Sequence, residues 1–109
     1  MNKITIQAID GFLVSDINFT RLDNFIRKYS VYEDYKKEIG DSFKSVIERL
    51  WGSANLKFRD PHGAPDSLVA SDYLAAMEFD IVISPYTGVS FDKRKEFYLW
   101  CFDQLKKLL

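Results

Sequence analysis

The sequence predicts an α+β fold, with a small, mostly antiparallel sheet of three to four short strands packed by about four helices. Three observations lead there. Residues 3–9 alternate, with Ile4, Ile6 and Ala8 on one side and Thr5, Gln7 and Ile9 on the other, the period of a half-buried strand. Residues 78–83 alternate again, Phe79, Ile81 and Ile83 against Glu78, Asp80 and Val82. Between and after these segments the apolar period lengthens to that of amphipathic helices.

Taken in order, the first strand runs into Asp10-Gly11, a hairpin signal between apolar runs, and Phe12-Leu13-Val14 is the short returning strand. From Asn18, the residues Phe19, Leu22, Phe25, Ile26 and Tyr29 form one helical stripe. Ser30-Val31-Tyr32-Glu33 reads as a capping box. It opens a long helix over 31–51, whose apolar phase passes unbroken through Gly40, a point where it can bend. Gly52 ends that helix as a left-handed cap. Leu56–Arg59 is a short strand, and the Pro- and Gly-rich segment 60–66 is a loop. Asp66 or Ser67 caps a helix to Met77, the strand 78–83 follows, and Ser84–Gly88 is a turn. Ser90 caps a final helix whose stripe is Phe91, Tyr98, Cys101, Phe102, Leu105, Leu108 and Leu109. With no repeat and no linker, the 109 residues form one domain, 1–109, large enough for one core. The order of strands and helices loosely resembles that of barstar-like inhibitors, without a shared motif.

Composition narrows the function classes. The chain is 47% hydrophobic and carries a formal net charge of −1, so it reads as a globular protein rather than a disordered one. Its basic residues are interleaved with acids and its pI is about 5.8, which argues against a nucleic-acid partner. The Lys36-Lys37 pair with Lys44 reads as a solvated helix face. The N-terminus lacks the apolar core of a signal peptide, and no apolar run approaches a membrane span. The single cysteine, Cys101, lies on an apolar helix face and reads as a buried thiol in a reducing cytosol. No phosphate-loop, dinucleotide or zinc-protease motif is present, so no cofactor and no metal are expected.

The 33 residues from Asp60 to Asp92 hold six acids (Asp60, Asp66, Asp72, Glu78, Asp80, Asp92) and no Lys or Arg. Asp60, Asp66 and Asp92 have local explanations at a turn, a cap and a helix N-terminus. Asp72, Glu78 and Asp80 are left on expected solvent faces, against the plain alternative of a merely solvated surface. Trp100 falls among charged residues on the wheel of the last helix, either as an interface aromatic or as a second contact within the domain. Trp51 reads as core. His62, the lone histidine, reads as part of an exposed loop, with a general-base role beside its neighbouring Asp residues as the alternative.

These residues predict a small cytosolic, bacterial binding protein rather than an enzyme. Its specific form is an immunity- or antitoxin-type inhibitor that blocks a cationic, nuclease-like toxin. The expected binding residues are Asp72, Glu78, Asp80, Trp100 and Tyr86, because carboxylates can stand in for the phosphates such a site holds. An adaptor or subunit of a larger assembly, and a small enzyme built on His62, are the alternatives.

Overall fold

A computed structural model describes residues 3–60, 62 and 67–109. It corrects the fold class: the described residues contain no strand, and the architecture is all-α. The elements are α1 (Ile6–Leu13), α2 (Phe19–Lys28), α3 (Tyr32–Ile39), a 3-10 turn (Gly40–Ser42), α4 (Phe43–Arg59), α5 (Ala70–Thr87) and α6 (Phe91–Leu108). Helix α5 is the centre, packed most extensively on α4 and then on α6 and α2. The radius of gyration is 13.3 Å.

Each missed strand has a physical reason. Thr5 is an N-cap, its Oγ1 accepting from Ala8 N–H at 3.1 Å, so the chain enters a helix where alternation predicts a strand. The buried residues of α1 are Ile9 and Phe12, three apart, while Ile6 is exposed. Asp10-Gly11 therefore lies inside this helix instead of turning a hairpin, and residues 12–14 are its end. The strand expected at 78–83 is the middle of α5. That helix is buried on nearly every side from Tyr73 to Ile81, and a helix apolar all round has no amphipathic period to betray it. Its alternation is a coincidence of composition. The helix predicted to stop at Met77 runs to Thr87, carrying Pro85 in its last turn and ending on Gly88, whose φ of 72° is left-handed. Leu56–Arg59 is the last turn of α4.

The long helix predicted over 31–51 is two helices. Gly40 has φ 67° and ψ −138°, a conformation that only glycine adopts easily, and the chain restarts through one 3-10 turn. Gly52 does not end α4, which continues through it to Arg59. The α2 and α6 readings agree with the structure, with Asn18 and Ser90 as N-caps. The buried apolar side chains form one cluster fed by every α-helix except α3, which has no buried residue. The strand–helix order likened to barstar-type inhibitors does not exist here.

Candidate functional site

Of the three acids expected on a solvent face, Asp80 and Glu78 are turned inward and Asp72 is half-buried. Asp80 is 2% exposed and sits at the junction of α4, α5 and α6. Its carboxylate accepts from Trp51 Nε1 at 2.9 Å, from the Tyr98 hydroxyl, and from Arg94 through Nε and Nη2. Arg94 Nη2 also donates to Asn55 Oδ1 at 2.8 Å, and its guanidinium lies 4.5 Å from the Phe97 ring centroid. A charge in the middle of a packed helix is costly unless paired and hydrogen-bonded; here it is both. Burial, then the bond to Asp80, pushes the Tyr98 hydroxyl far above its usual range. Burial, and then the charge of Asp80, raises the Cys101 thiol, which is fully enclosed.

Glu78 is 8% exposed. It accepts from Val31 N–H at 2.7 Å and from the Ser30 hydroxyl at 2.9 Å, so it caps the start of α3 from a neighbouring helix. Ser30 does cap a backbone amide, its oxygen accepting from Tyr32 N–H at 3.4 Å, but the acid that completes the cap is Glu78 instead of the expected Glu33. Burial raises the Glu78 carboxyl, and the bonds from Val31 and Ser30 oppose the rise. Asp72 is half-buried. It accepts from Val69 N–H at 2.9 Å, closing the N-terminus of α5, and from the Tyr35 hydroxyl at 2.9 Å. Burial takes the Tyr35 hydroxyl up to about 12. Each of these carboxylates thus ties α5 to another element.

Trp100 is half-buried, with ring contacts to Phe58, Tyr73 and Phe97 at 5.5–6.1 Å between centroids. Helix α6 is therefore covered on two sides, and Trp100 belongs to the second contact within the domain. Trp51 is half-buried and spends its N–H on Asp80. Tyr86, the remaining nominee, is 89% exposed. Val82 and Val89 stand four residues before and three after it, 55% and 39% exposed. Phe19 of α2 reaches the same end of α5, in a shallow recess lined also by Pro85, Val89 and Phe91.

Val82 also borders a groove of about 360 Å³ between α2, α3 and α5. Among the described residues, Asp23, Glu33 and Glu78 line it against a single Arg27, a formal −2, with Ile26 and Ile81 as apolar wall. Arg27 pairs with Asp23 at 3.0 Å. Tyr32 lines the same groove, and its hydroxyl is the one buried side-chain polar atom among the described residues without a hydrogen-bond partner. Burial, and then the charge of Glu78, raises that hydroxyl far above its usual range.

Sequence reasoning missed the Asp80–Arg94 pair and the Glu78 cap. A signal existed: Asp80 stands alone in Phe79-Asp80-Ile81-Val82-Ile83, where a carboxylate needs an internal partner whichever regular structure holds it.

His62 is exposed in a turn, and its neighbours Pro61 and 63–66, including Asp66 as a possible cap, lie outside the described residues. No group of three or more His, Cys, Asp or Glu among the described residues could hold a metal ion. Among the described residues, no helix is long and apolar enough to cross a membrane. Compared with known proteins, the chain matches no family model, no curated protein and no solved structure.

Proposed function

We propose that this chain is a small binding protein that meets a protein partner with the C-terminal end of α5, in the specific form of an immunity- or antitoxin-type inhibitor of a cationic, nuclease-like toxin. The observation that carries the reading is Tyr86, 89% exposed, with Val82 one turn before it on α5 and Val89 just past the helix end, 55% and 39% exposed. A row of large apolar side chains left in water is the usual mark of an interaction surface, and tyrosine is among the residues enriched at interface hot spots. The preference for a cationic partner draws support from the adjoining groove. Its formal −2 charge and apolar wall suit a Lys or Arg side chain, aliphatic along its stem and charged at its tip. The acidic window enters this reading through Glu78, at the groove, while Asp72 and Asp80 act by fixing α5. The proposal places the chain in a bacterial cytosol, where a lone thiol such as Cys101 stays reduced.

The test is co-expression with the product of the adjacent gene. That product is expected to be toxic alone, to form a complex with this chain, and to escape inhibition by the Tyr86→Ala and Glu33→Lys variants. Association should slow as salt rises, because screening shortens from about 30 Å at 0.01 M to about 3 Å at 1 M. A complex indifferent to both substitutions overturns the proposed surface, and a harmless gene product that binds identifies an adaptor instead.

A further inference from the structure

Beside the Asp80 junction lies another recess, of about 280 Å³, lined by Trp51, Gly52, Asn55, Phe58, Arg59 and Arg94. Among the described residues its lining contains two guanidinium groups and no carboxylate. Both converge on one residue: Arg59 Nε donates to the Asn55 carbonyl at 3.4 Å, and Arg94 Nη2 donates to Asn55 Oδ1 at 2.8 Å. Asn55 is 7% exposed, and its own amide donates to the Trp51 carbonyl at 2.8 Å, so its side chain is fixed from both ends.

Arg94 is held on three sides. Its Nε–Nη2 edge faces Asp80, the second acceptor of Nη2 is Asn55, and one face covers Phe97. Its Nη1 has no acceptor among the described residues, and a fifth of the side chain is exposed. Asp80 neutralises one of the two guanidinium charges, which leaves a formal +1 from the described residues of the recess. A guanidinium that cannot turn away and still has donors to spend is prepaid for an oxyanion, since the ordering of a long flexible side chain has already been met by folding.

Gly52 adds a separate observation. It stands in the middle of α4, where glycine costs about 1 kcal/mol relative to alanine. A Cβ there would meet nothing within 4 Å, so no packing neighbour requires its absence. The space it leaves open is part of the recess, beside the rings of Trp51 and Phe58.

We infer that this recess binds a small organic oxyanion, its phosphate or carboxylate group held by Arg94 and Arg59 and its apolar body by Trp51 and Phe58. The site is separate from the Tyr86 ridge and does not depend on the function proposed for it. Phenyl phosphate and benzoate, which share a body and differ in the charged group, are the probes, with benzyl alcohol as their neutral counterpart. Titration of the isotope-labelled chain should shift the Trp51 indole, the Gly52 amide and the Arg59 and Arg94 guanidinium signals saturably with at least one anion. The tighter of the two names the head group. Arg59→Gln, at an exposed position that leaves the Asp80 network whole, should weaken binding about tenfold or more. Gly52→Ala should weaken binding while leaving the fold at least as stable. The inference is overturned by non-saturable shifts with both anions, by equal binding of benzyl alcohol, or by an Arg59→Gln chain that binds as the parent does.

Discussion

Helix α5 has two halves that treat charge and apolar surface in opposite ways. From Asp72 to Ile81 its three carboxylates are hydrogen-bonded within the molecule, to Tyr35 and Val69, to Ser30 and Val31, and to Trp51, Arg94 and Tyr98. Beyond Ile81, Val82 and Tyr86 of the helix and Val89 just past its end are exposed to water, while Ile83 is half-buried. The central half uses charge to hold the fold, and the terminal half spends apolar surface outside it. A residue's chemical type therefore does not report its role on this helix; its partners do.

The comparison breaks most visibly at Asp80. Asp80→Ala leaves the Arg94 guanidinium without its counter-charge and the Trp51 N–H and Tyr98 hydroxyl without an acceptor. Removing one partner of a buried ion pair costs about 3–5 kcal/mol, so urea denaturation should show a loss of that size or an unfolded chain. Asp92→Ala, at an exposed acid of the same window, should stay within about 0.5 kcal/mol. Equal, small losses in the two variants would return Asp80 to the surface.

Glu78 gives a smaller effect with a pH signature. Glu78→Ala strips the acceptor from Val31 N–H and the Ser30 hydroxyl, worth about 1–3 kcal/mol. Because burial raises its carboxyl in the folded chain, the native state holds this proton more tightly than the unfolded state does. Its contribution is then fully present below the unfolded value and is lost as pH rises through the folded one. Relative to the parent, Glu78→Gln should therefore gain stability as pH is raised from the usual glutamate range toward neutrality. A difference between the two that is flat with pH would show that Glu78 titrates as it does in the unfolded chain.

What was legible in the sequence follows the same division. Amphipathic α2 and α6 could be read, because each has one wet face and a side-chain cap, Asn18 or Ser90, that announces its start. Helix α5 could not. Surrounded by α2, α4 and α6, it has no wet face through its middle, and its N-cap is Val69, closed by an acid three residues later. Its short alternating run matched a strand because alternation over six residues is weak evidence inside an all-apolar environment. The acids were misplaced with it: Glu78 and Asp80 share one face only if the backbone is extended. Tyr86, in contrast, is exposed as expected, in the last turn of α5.

The two glycines of the long helical stretch sharpen the contrast between local and tertiary control. Gly40→Ala must adopt a positive φ and should cost about 1–3 kcal/mol. Gly52→Ala lies in regular helix with open space around the new methyl, and should raise stability by up to about 1 kcal/mol. Similar losses at both would mean that α4 needs its glycine for packing.

The smallest effect on stability belongs to Tyr86, and that smallness is the point. At 89% exposure its ring gives up almost nothing on unfolding that it does not already give to water, so Tyr86→Ala should leave the denaturation midpoint within the range of ordinary surface changes, about 0.5 kcal/mol. Truncating a central aromatic of an interface costs about 2 kcal/mol or more of binding, roughly 30-fold in Kd. The loss should fall on the dissociation rate, since a neutral ring contributes nothing to long-range steering. Glu33→Lys, which changes the charge of the adjoining groove without touching the ridge, should instead slow association and flatten its salt dependence. A Tyr86→Ala chain that loses stability as Asp80→Ala does would erase the distinction between the two halves of α5. A chain that keeps both its stability and its partner would show that the exposed end of α5 is not where that partner binds.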